Sequence, residues 1–187
     1  MAGTDRRQKV MREGPVVVLV NPQLGENIGA AARAMANFGL CELRLVEPRD
    51  GWPSEVARAN AAKADHVIDD VVVFDTLAEA LADLNFVYAT TARQREMLKP
   101  VRDPRDAATN LRSRYNRGER VGILFGRERW GLESVEVALA DEIITFPVNP
   151  AFASLNIAQA VLLMSYEWMR TGEPDLPIAE PVSLPAR

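Results

Sequence analysis

The chain has 187 residues, 48% of them hydrophobic and 26% charged, with a net charge of −4 at pH 7. This describes one globular domain rather than two, and the acidic balance disfavours a protein that coats nucleic acid without discrimination. One cysteine and one histidine exclude a disulfide framework or a Cys/His metal cluster within the chain. The apolar runs are too short for a membrane span, and the first residues are polar, so we expect a cytoplasmic protein without membrane contact and without a metal.

In chain order, strand-like runs rich in β-branched residues alternate with helical patterns. Strands are predicted at 16–20, 43–46, 66–68, 85–89, 121–125 and 142–146. Helices are predicted at 27–38, 54–63, 77–84, 135–140 and 154–170. This alternation predicts an α/β fold, with a mostly parallel sheet covered by helices on both faces. The domain is predicted to span residues 1–172, and the proline-rich residues 173–187 to form a tail or linker.

Positive charge is concentrated in one stretch, residues 93–120, which we call the basic segment. Nine basic residues outnumber four acidic ones there. Such a stretch fits a solvated face with local ion pairs or a track for RNA phosphates, and its pattern alone favours the first. Its basic members are Arg93, Arg95, Lys99, Arg102, Arg105, Arg112, Arg114, Arg117 and Arg120, and a shorter N-terminal cluster comprises Arg6, Arg7, Lys9 and Arg12.

Several common site motifs are absent from the sequence. No G-x-G-x-x-G follows the first strand, and neither G-x-x-x-x-G-K-[ST] nor G-x-S-x-G occurs. Readings as an NAD enzyme, an ATPase or a serine esterase are therefore weak. Three other segments follow strands and lie where parallel sheets bind ligands: 27–33, 122–131 and 149–156.

Each of the three segments has a structural and a functional interpretation. In the first, Asn27 is a predicted helix N-cap, Gly29 permits close approach of backbone or ligand, and Arg33 is the one charge among small residues. The second is a glycine-bounded loop that fits a plain turn or a ligand loop. The third ends at Ser154, the predicted N-cap of the last helix. Taken singly, each segment favours the structural reading.

Taken together and in this order, the segments resemble the SPOUT methyltransferases of the SpoU/TrmH family, most closely their TrmJ type. The family's motifs match Asn27-Ile28-Gly29-Ala30 through Arg33, then Phe125-Gly126-Arg127-Glu128-Arg129 with Gly131-Leu132, and finally Asn149-Pro150 with Ser154-Leu155-Asn156. The resemblance covers about residues 16–170. It implies a C-terminal trefoil knot, which pattern reasoning does not predict. It also implies a homodimer, which suits a last helix that is apolar around most of its circumference.

The resemblance further implies that S-adenosylmethionine is the cofactor, held largely by backbone groups. Ala153 stands where relatives of this type often carry a hydroxyl residue. The cofactor-binding residues that it implies are Thr90, Thr91, Ala92, Gly126, Phe146, Ala153, Ser154 and Leu155.

The implied reaction is methyl transfer to a ribose 2′-hydroxyl of RNA, most closely tRNA at the pyrimidine nucleotide 32 of the anticodon loop. The resemblance gives the catalytic role to Arg33, which acts as an electrostatic clamp because arginine stays protonated, and which reaches the partner chain's cofactor. It assigns orientation of the substrate or cofactor to Ser154 and Asn156, and organisation of the pocket to Asn27 and Glu128. The basic segment is then the RNA-binding face. The alternatives are a ribosomal RNA methyltransferase of the same family or a non-catalytic RNA-binding protein on the same scaffold.

Overall fold

The computed structural model describes residues 13–92 and 99–172. Arg93, Arg95, the N-terminal basic cluster and the predicted tail lie outside the described residues. The strands are β1 (Val16–Val20), β2 (Leu43–Val46), β3 (Val72–Phe74), β4 (Phe86–Thr90), β5 (Val101–Arg102), β6 (Val121–Phe125) and β7 (Glu142–Ile144). The helices are α1 (Gly25–Asn37), α2 (Glu55–Asn60), α3 (Asp65–Ile68), α4 (Leu77–Leu81), α5 (Pro104–Asn116), α6 (Ser134–Ala138) and α7 (Ile157–Arg170), with a 3₁₀ turn at Pro150–Phe152.

The seven strands form one parallel sheet in the order β3-β2-β1-β6-β4-β7-β5. The central strands β1 and β6 are buried at every position, which explains their almost continuous apolar sequence. Alternate residues of β1 enter two separate cores: Val17 and Leu19 face α1 and α7, and Val18 faces α4 and α6. The predicted α/β class, with helices on both faces of a parallel sheet, is confirmed.

Close packing on one face depends on Gly29. A Cβ atom at this position would lie 2.1 Å from the backbone oxygen of Ala57 in α2. The residue therefore brings two helix backbones together, and of the two roles predicted for it, the structure shows approach by backbone. None of the helices in the described part of the chain is long and apolar enough to span a membrane.

The sequence-based prediction was wrong at three places. Residues 66–68, predicted as a strand, belong to the short helix α3, and the edge strand β3 follows instead at Val72–Phe74. A run of three residues is too short for its periodicity to separate helix from strand. Helix α5 was missed because it buries only Ala107, Ala108 and Leu111 among many polar residues. The two-residue edge strand β5 was also missed.

Candidate active site

A cavity of about 330 Å³ lies at the carboxyl edge of the sheet, where β4 and β6 end and the chain leaves β7. Ligands of open parallel sheets bind at this edge because the loops that follow the strands converge there. The walls are mainly apolar and combine small residues with large ones, among them Gly131, Phe125 and Ile157. The structure brings all the predicted cofactor-binding residues to this cavity: Thr90, Thr91, Ala92, Gly126, Phe146, Ala153, Ser154 and Leu155.

The loop after β6 is held in one conformation by Arg127. Its guanidinium donates to the backbone oxygen of Gly131 at 3.1 Å and pairs with Glu136 at 2.6 Å, and it also donates to Asn21. The Gly131 N–H donates back to the Arg127 oxygen at 2.8 Å. Gly126 is required here because a Cβ would lie 2.2 Å from the backbone of Gly131. The loop is therefore both a closed turn and a wall of the cavity.

A network of side-chain hydrogen bonds connects the three sequence motifs. Asn156 Nδ2 donates to Asn27 Oδ1 at 2.9 Å, and Asn27 Nδ2 donates to Glu128 Oε1 at 2.7 Å. The other Glu128 oxygen accepts the Gln23 backbone N–H at 2.8 Å. Asn156 Oδ1 accepts the backbone N–H of Ala158, so the Asn156 Nδ2 group must face Asn27. This orientation sets which side chain donates in each of the other hydrogen bonds of the network. This hydrogen-bond network fixes the positions of Asn27, Glu128 and Asn156 beside the cavity.

Both predicted N-caps were wrong. Helix α1 begins at Gly25 after Leu24, so Asn27 lies within its first turn and its side chain is free to bond Glu128 and Asn156. Helix α7 is capped by Asn156, which forms a capping box with Gln159. Ser154 precedes that cap, is exposed, and lines the cavity instead. Sequence alone places a capping residue only to within a few positions.

Arg33 lies on the exposed face of α1 and does not line the cavity of its own chain. Its side chain forms no hydrogen bond or ion pair with any other residue that the structure describes. Helices α1 and α7 run side by side and in parallel, since Asn27 contacts Asn156 at one end and Phe38 contacts Tyr166 at the other. Arg33 is six residues beyond Asn27, about 9 Å along the helix. It is therefore level with the middle of α7.

The cavity fits a nucleoside-based cofactor held by main-chain groups. Thr90 donates its hydroxyl to the Leu124 oxygen at 2.8 Å, so that side chain is already engaged. Thr91 donates its backbone N–H to the Ile144 oxygen, and its own oxygen accepts the Thr145 hydroxyl. Loops that contain small residues, set between aromatic and aliphatic walls, suit a flat adenine ring and a methionine chain that carries a sulfonium. The geometry fits the predicted cofactor.

The basic segment is largely engaged in contacts within the chain. Arg114 and Arg117 pair with Glu119 at 2.7 and 2.9 Å, and Arg120 pairs with Glu42 at 2.8 Å. Arg102 pairs with Glu142, Lys99 donates to backbone oxygens of α6 and the turn after it, and Arg112 lies over the Trp168 ring. Among the segment's described basic side chains, that of Arg105 alone has no such partner. The reading as a face with local ion pairs therefore holds for most of the segment.

Sequence reasoning missed three residues of the site. Arg127 closes the loop, the Gln23 backbone holds Glu128, and Trp130 projects at the cavity mouth. Arg127 belongs to the second motif, but its ion pair could not be predicted because Glu136 lies beyond that motif. The glycine-bounded loop was the available indication for Trp130.

The fold and the site define an α/β protein that binds its ligand in loops at the carboxyl edge of a parallel sheet. The SpoU rRNA Methylase family matches residues 14–166. The chain belongs to this family, which confirms the resemblance predicted from its motifs.

Relatives and solved structures agree with this membership. The chain is 42% identical over 151 residues to tRNA (cytidine/uridine/adenosine-2′-O-)-methyltransferase TrmJ of Pseudomonas aeruginosa, which covers 81% of this chain and 58% of that protein. A crystal structure of TrmJ from Z. mobilis ZM4 is 57% identical, with a TM-score of 0.81, over 84% of this chain and 69% of the other. A structure solved to study the 2-OH methylation of C/U34 on tRNA is 27% identical, with a TM-score of 0.66, over 83% of this chain and 93% of that one. The chain thus spans little more than half the length of the curated TrmJ relative.

Proposed function

We propose that the protein is an S-adenosylmethionine-dependent methyltransferase that acts on a ribose 2′-hydroxyl of RNA, with tRNA as its substrate. The main observation behind this proposal is that the second and third motifs line one cavity, and that the first motif is joined to both by the hydrogen bonds of Asn27 with Glu128 and Asn156. Support comes from the family and from relatives named as tRNA 2′-O-methyltransferases. A location in the cytoplasm, where tRNA is abundant, belongs to the same proposal.

In this proposal the cavity holds S-adenosylmethionine through the backbone of residues 90–92 and 153–155, with Gly126 and Phe146 as its walls. The cofactor supplies an activated methyl group. The protein positions the 2′-hydroxyl in line with that group and excludes water. Ser154 is exposed in the cavity wall and is the hydroxyl available to orient the ribose.

Arg33 is proposed to stabilise the negative charge that develops on the ribose oxygen. A guanidinium remains protonated near neutral pH, so it acts as a clamp and not as a general base. Because Arg33 lies outside the cavity of its own chain, it acts on the cavity of a second copy.

A homodimer through α1 and α7 gives Arg33 that position. Leu162, Leu163 and Tyr166 are large apolar side chains, and all three are exposed on α7. Leu162 and Leu163 are level with Arg33 on the neighbouring α1, and Tyr166 lies farther along, beside Phe38. An apolar stripe of this kind is typical of a helix that packs against a partner.

The trefoil knot belongs to the same proposal. Strand β7 enters the sheet between β4 and β5, although the chain first crosses to β6 on the other side of β4. The segment after β7 then passes Thr91, where Thr145 donates a hydrogen bond, before it reaches α7. This insertion supports a threaded C-terminal segment.

For the target we propose nucleotide 32 of the tRNA anticodon loop, a pyrimidine, on the resemblance to the TrmJ type. The name of the SpoU rRNA Methylase family refers to ribosomal RNA, and the structure that is 27% identical to this chain concerns C/U34 of tRNA. A ribosomal RNA target is therefore the second candidate.

We also propose that the basic segment contacts RNA phosphates, and Arg105 is the described member best placed for it. Its guanidinium is unpaired among the described side chains, and it stands in the first turn of α5, toward the carboxyl edge of the sheet. Arg105→Glu should weaken RNA binding and reduce the slope of log affinity against log salt by about 1. Unchanged salt dependence would reject this contact.

The function is tested by incubating the full chain with tRNA or ribosomal RNA and S-adenosylmethionine carrying a labelled methyl group. Digestion and nucleoside mass spectrometry should find one 2′-O-methyl nucleoside, and the position of the digestion fragment identifies the nucleotide. In cells, the same nucleoside should be missing from RNA of a deletion strain. RNA binding without methyl transfer would favour the non-catalytic scaffold instead.

The action of Arg33 across the dimer is tested by mixing two inactive variants, Arg33→Ala and Gly126→Val. A mixed dimer holds one complete site only if the arginine of one chain serves the cavity of the other. Random exchange should then restore about a quarter of the wild-type activity. No recovery in a sample shown to contain mixed dimers would place the arginine and cavity of each site in the same chain.

A further inference from the structure

An exposed tryptophan stands at the mouth of the cavity. Trp130 is 65% exposed and lies in the cavity wall, whereas Trp168 is buried and Trp52 is partly buried. Its exposure does not come from a loose loop, since Arg127 and Gly131 close the loop on both sides of it. The backbone therefore holds a large apolar ring in water, and this ring is available to a ligand.

The surroundings of Trp130 are aromatic and cationic. Arg129 precedes it, is exposed, has no partner among the described side chains, and adopts a positive φ of 73°, which is unusual outside glycine. Phe152 is 81% exposed and is followed directly by Ala153, which lines the same cavity. An exposed aromatic ring next to an unpaired guanidinium, with a second exposed aromatic residue beside the same cavity, has the chemistry on which unpaired nucleic acid bases stack.

The volume of the cavity determines where a base can lie. About 330 Å³ is at the small end of the range for sites that hold one small molecule. A nucleoside-based cofactor fills such a space, so the base of the target nucleotide has to stay outside it. Its ribose must nevertheless come within about 3.5 Å of the methyl group. The base therefore lies at the rim, where Trp130 is exposed.

We propose that the indole of Trp130 is the platform on which an unpaired base at the methylation site stacks. The inference rests on the proposed function and specifies how that site holds its RNA. Stacking needs a base that has left its helix, so Trp130 selects nucleotides in loops over nucleotides in duplexes. It tolerates different bases, because each has a π-face.

The test uses the full chain as wild type, Trp130→Ala and Trp130→Phe, with Val72→Ala as a matched control. Val72 is also an exposed apolar side chain, but it lies on β3, three strands away from β6. The probes are a labelled RNA stem-loop with an unpaired loop and the same stem as an uninterrupted duplex. Fluorescence anisotropy gives each affinity, and tryptophan emission reports the stacking directly.

Trp130→Ala should weaken stem-loop binding about five- to hundredfold, the range expected for the loss of one stacked base. Trp130→Phe should stay within about threefold of wild type because it keeps an aromatic face. Duplex binding, S-adenosylhomocysteine binding, dimer mass and the control should be unchanged. The stem-loop, but not the duplex, should quench wild-type tryptophan emission, and Trp130→Ala should abolish this quenching.

Unchanged stem-loop affinity in Trp130→Ala overturns the proposal. It is equally overturned if that variant loses S-adenosylhomocysteine binding or the dimer, because Trp130 is then part of the cofactor site or the interface. Failure of the proposed function has a different signature. A wild-type chain that transfers no methyl group to any RNA rejects that function, whereas active wild type with an unimpaired Trp130→Ala rejects only the stacking.

Discussion

The two edges of the sheet differ in how many of their arginines are paired with acidic side chains. At the amino edge, where β2, β4 and β6 begin, Arg44, Arg114, Arg117 and Arg120 are paired with Glu42, Asp83 and Glu119. At the carboxyl edge Arg127 is likewise paired, with Glu136, but Arg129 there and Arg33 along α1 are exposed and have no partner among the described side chains. The arginines at the amino edge therefore hold the fold together, whereas the carboxyl side also keeps two that remain available to a ligand.

This contrast shows that a count of charges along the sequence is a poor guide to a binding face. The basic segment has an excess of positive charge, but part of that excess is neutralised by acids that lie far away in the sequence, such as Glu42 and Glu142. An ion pair between exposed side chains contributes little stability, but the paired guanidinium is no longer free to bind a phosphate. The informative arginines are those that the fold leaves unpaired.

The largest effect is expected from removing Arg33, an arginine that the fold leaves unpaired. If Arg33 stabilises the charge on the ribose oxygen as proposed, Arg33→Ala should reduce methyl transfer about 10²- to 10³-fold or more. Binding of S-adenosylmethionine, measured by calorimetry, should stay within a few-fold. Arg58→Ala is the matched control, because it removes an exposed arginine that is paired with Asp69 at 2.6 Å and lies outside both the cavity and the basic segment. It should keep near-normal turnover, and equal losses in both variants would remove the functional distinction between paired and unpaired arginines.

Glycine gives a second comparison of the two edges. In Gly126→Ala the new Cβ lies 2.2 Å from the backbone of Gly131, so the cavity wall must move. We expect cofactor affinity to fall about tenfold or more, since displacements of this size are costly at a binding site. Gly118→Ala, at the amino edge, meets no atom within 4 Å and suffers only from its φ of 84°. It should lose about 1 kcal/mol of stability and no cofactor affinity, and a thermal shift with S-adenosylhomocysteine separates the two results.

At the amino edge the effect should appear in stability instead of activity. Arg44 is only 5% exposed, bonds the Ala80 oxygen and Asp83, each at 2.6 Å, and lies over the Phe74 ring. Arg44→Ala should lower the free energy of unfolding by about 2 kcal/mol, less than for a fully buried pair because Asp83 is half exposed. Urea unfolding measures this loss. A fall in kcat in the folded variant would show that the amino edge also serves catalysis.

The smallest expected effect is a dependence on pH. The hydrogen bond from Arg44 holds the pKa of Asp83 at about 2, below its ordinary value of 3.8. Because this pKa is lower in the folded state, the stabilisation is present above about pH 4 and is lost as the pH falls through about 2. Urea unfolding of wild type and Asp83→Asn between pH 5 and pH 2 should show that the free energy of unfolding falls less in the variant than in wild type. Parallel pH profiles would exclude this contribution.

The sequence predicted those features that depend on residues close together in the chain, and it missed those that depend on distant partners or on a weak pattern. The buried strands β1, β2 and β6 were predicted with their observed bounds, because continuous β-branched and aliphatic runs need no distant partner to be recognised. The predicted cofactor residues meet at one cavity because loops after parallel strands share an edge. Helix α5 was missed since its small buried face gives a weak pattern.

The sequence by itself determined the fold class, the positions of the central strands and the three motifs that identify the family. Only the tertiary structure decided what individual polar side chains do. Asn27 bonds Glu128 and Asn156, each more than 100 residues away, instead of capping its own helix. Arg120 meets Glu42 because their strands start at the same edge, and Arg33 meets no described acid. Hydrophobic periodicity is a local property, whereas the partner of a charge is set by the order in which the strands assemble.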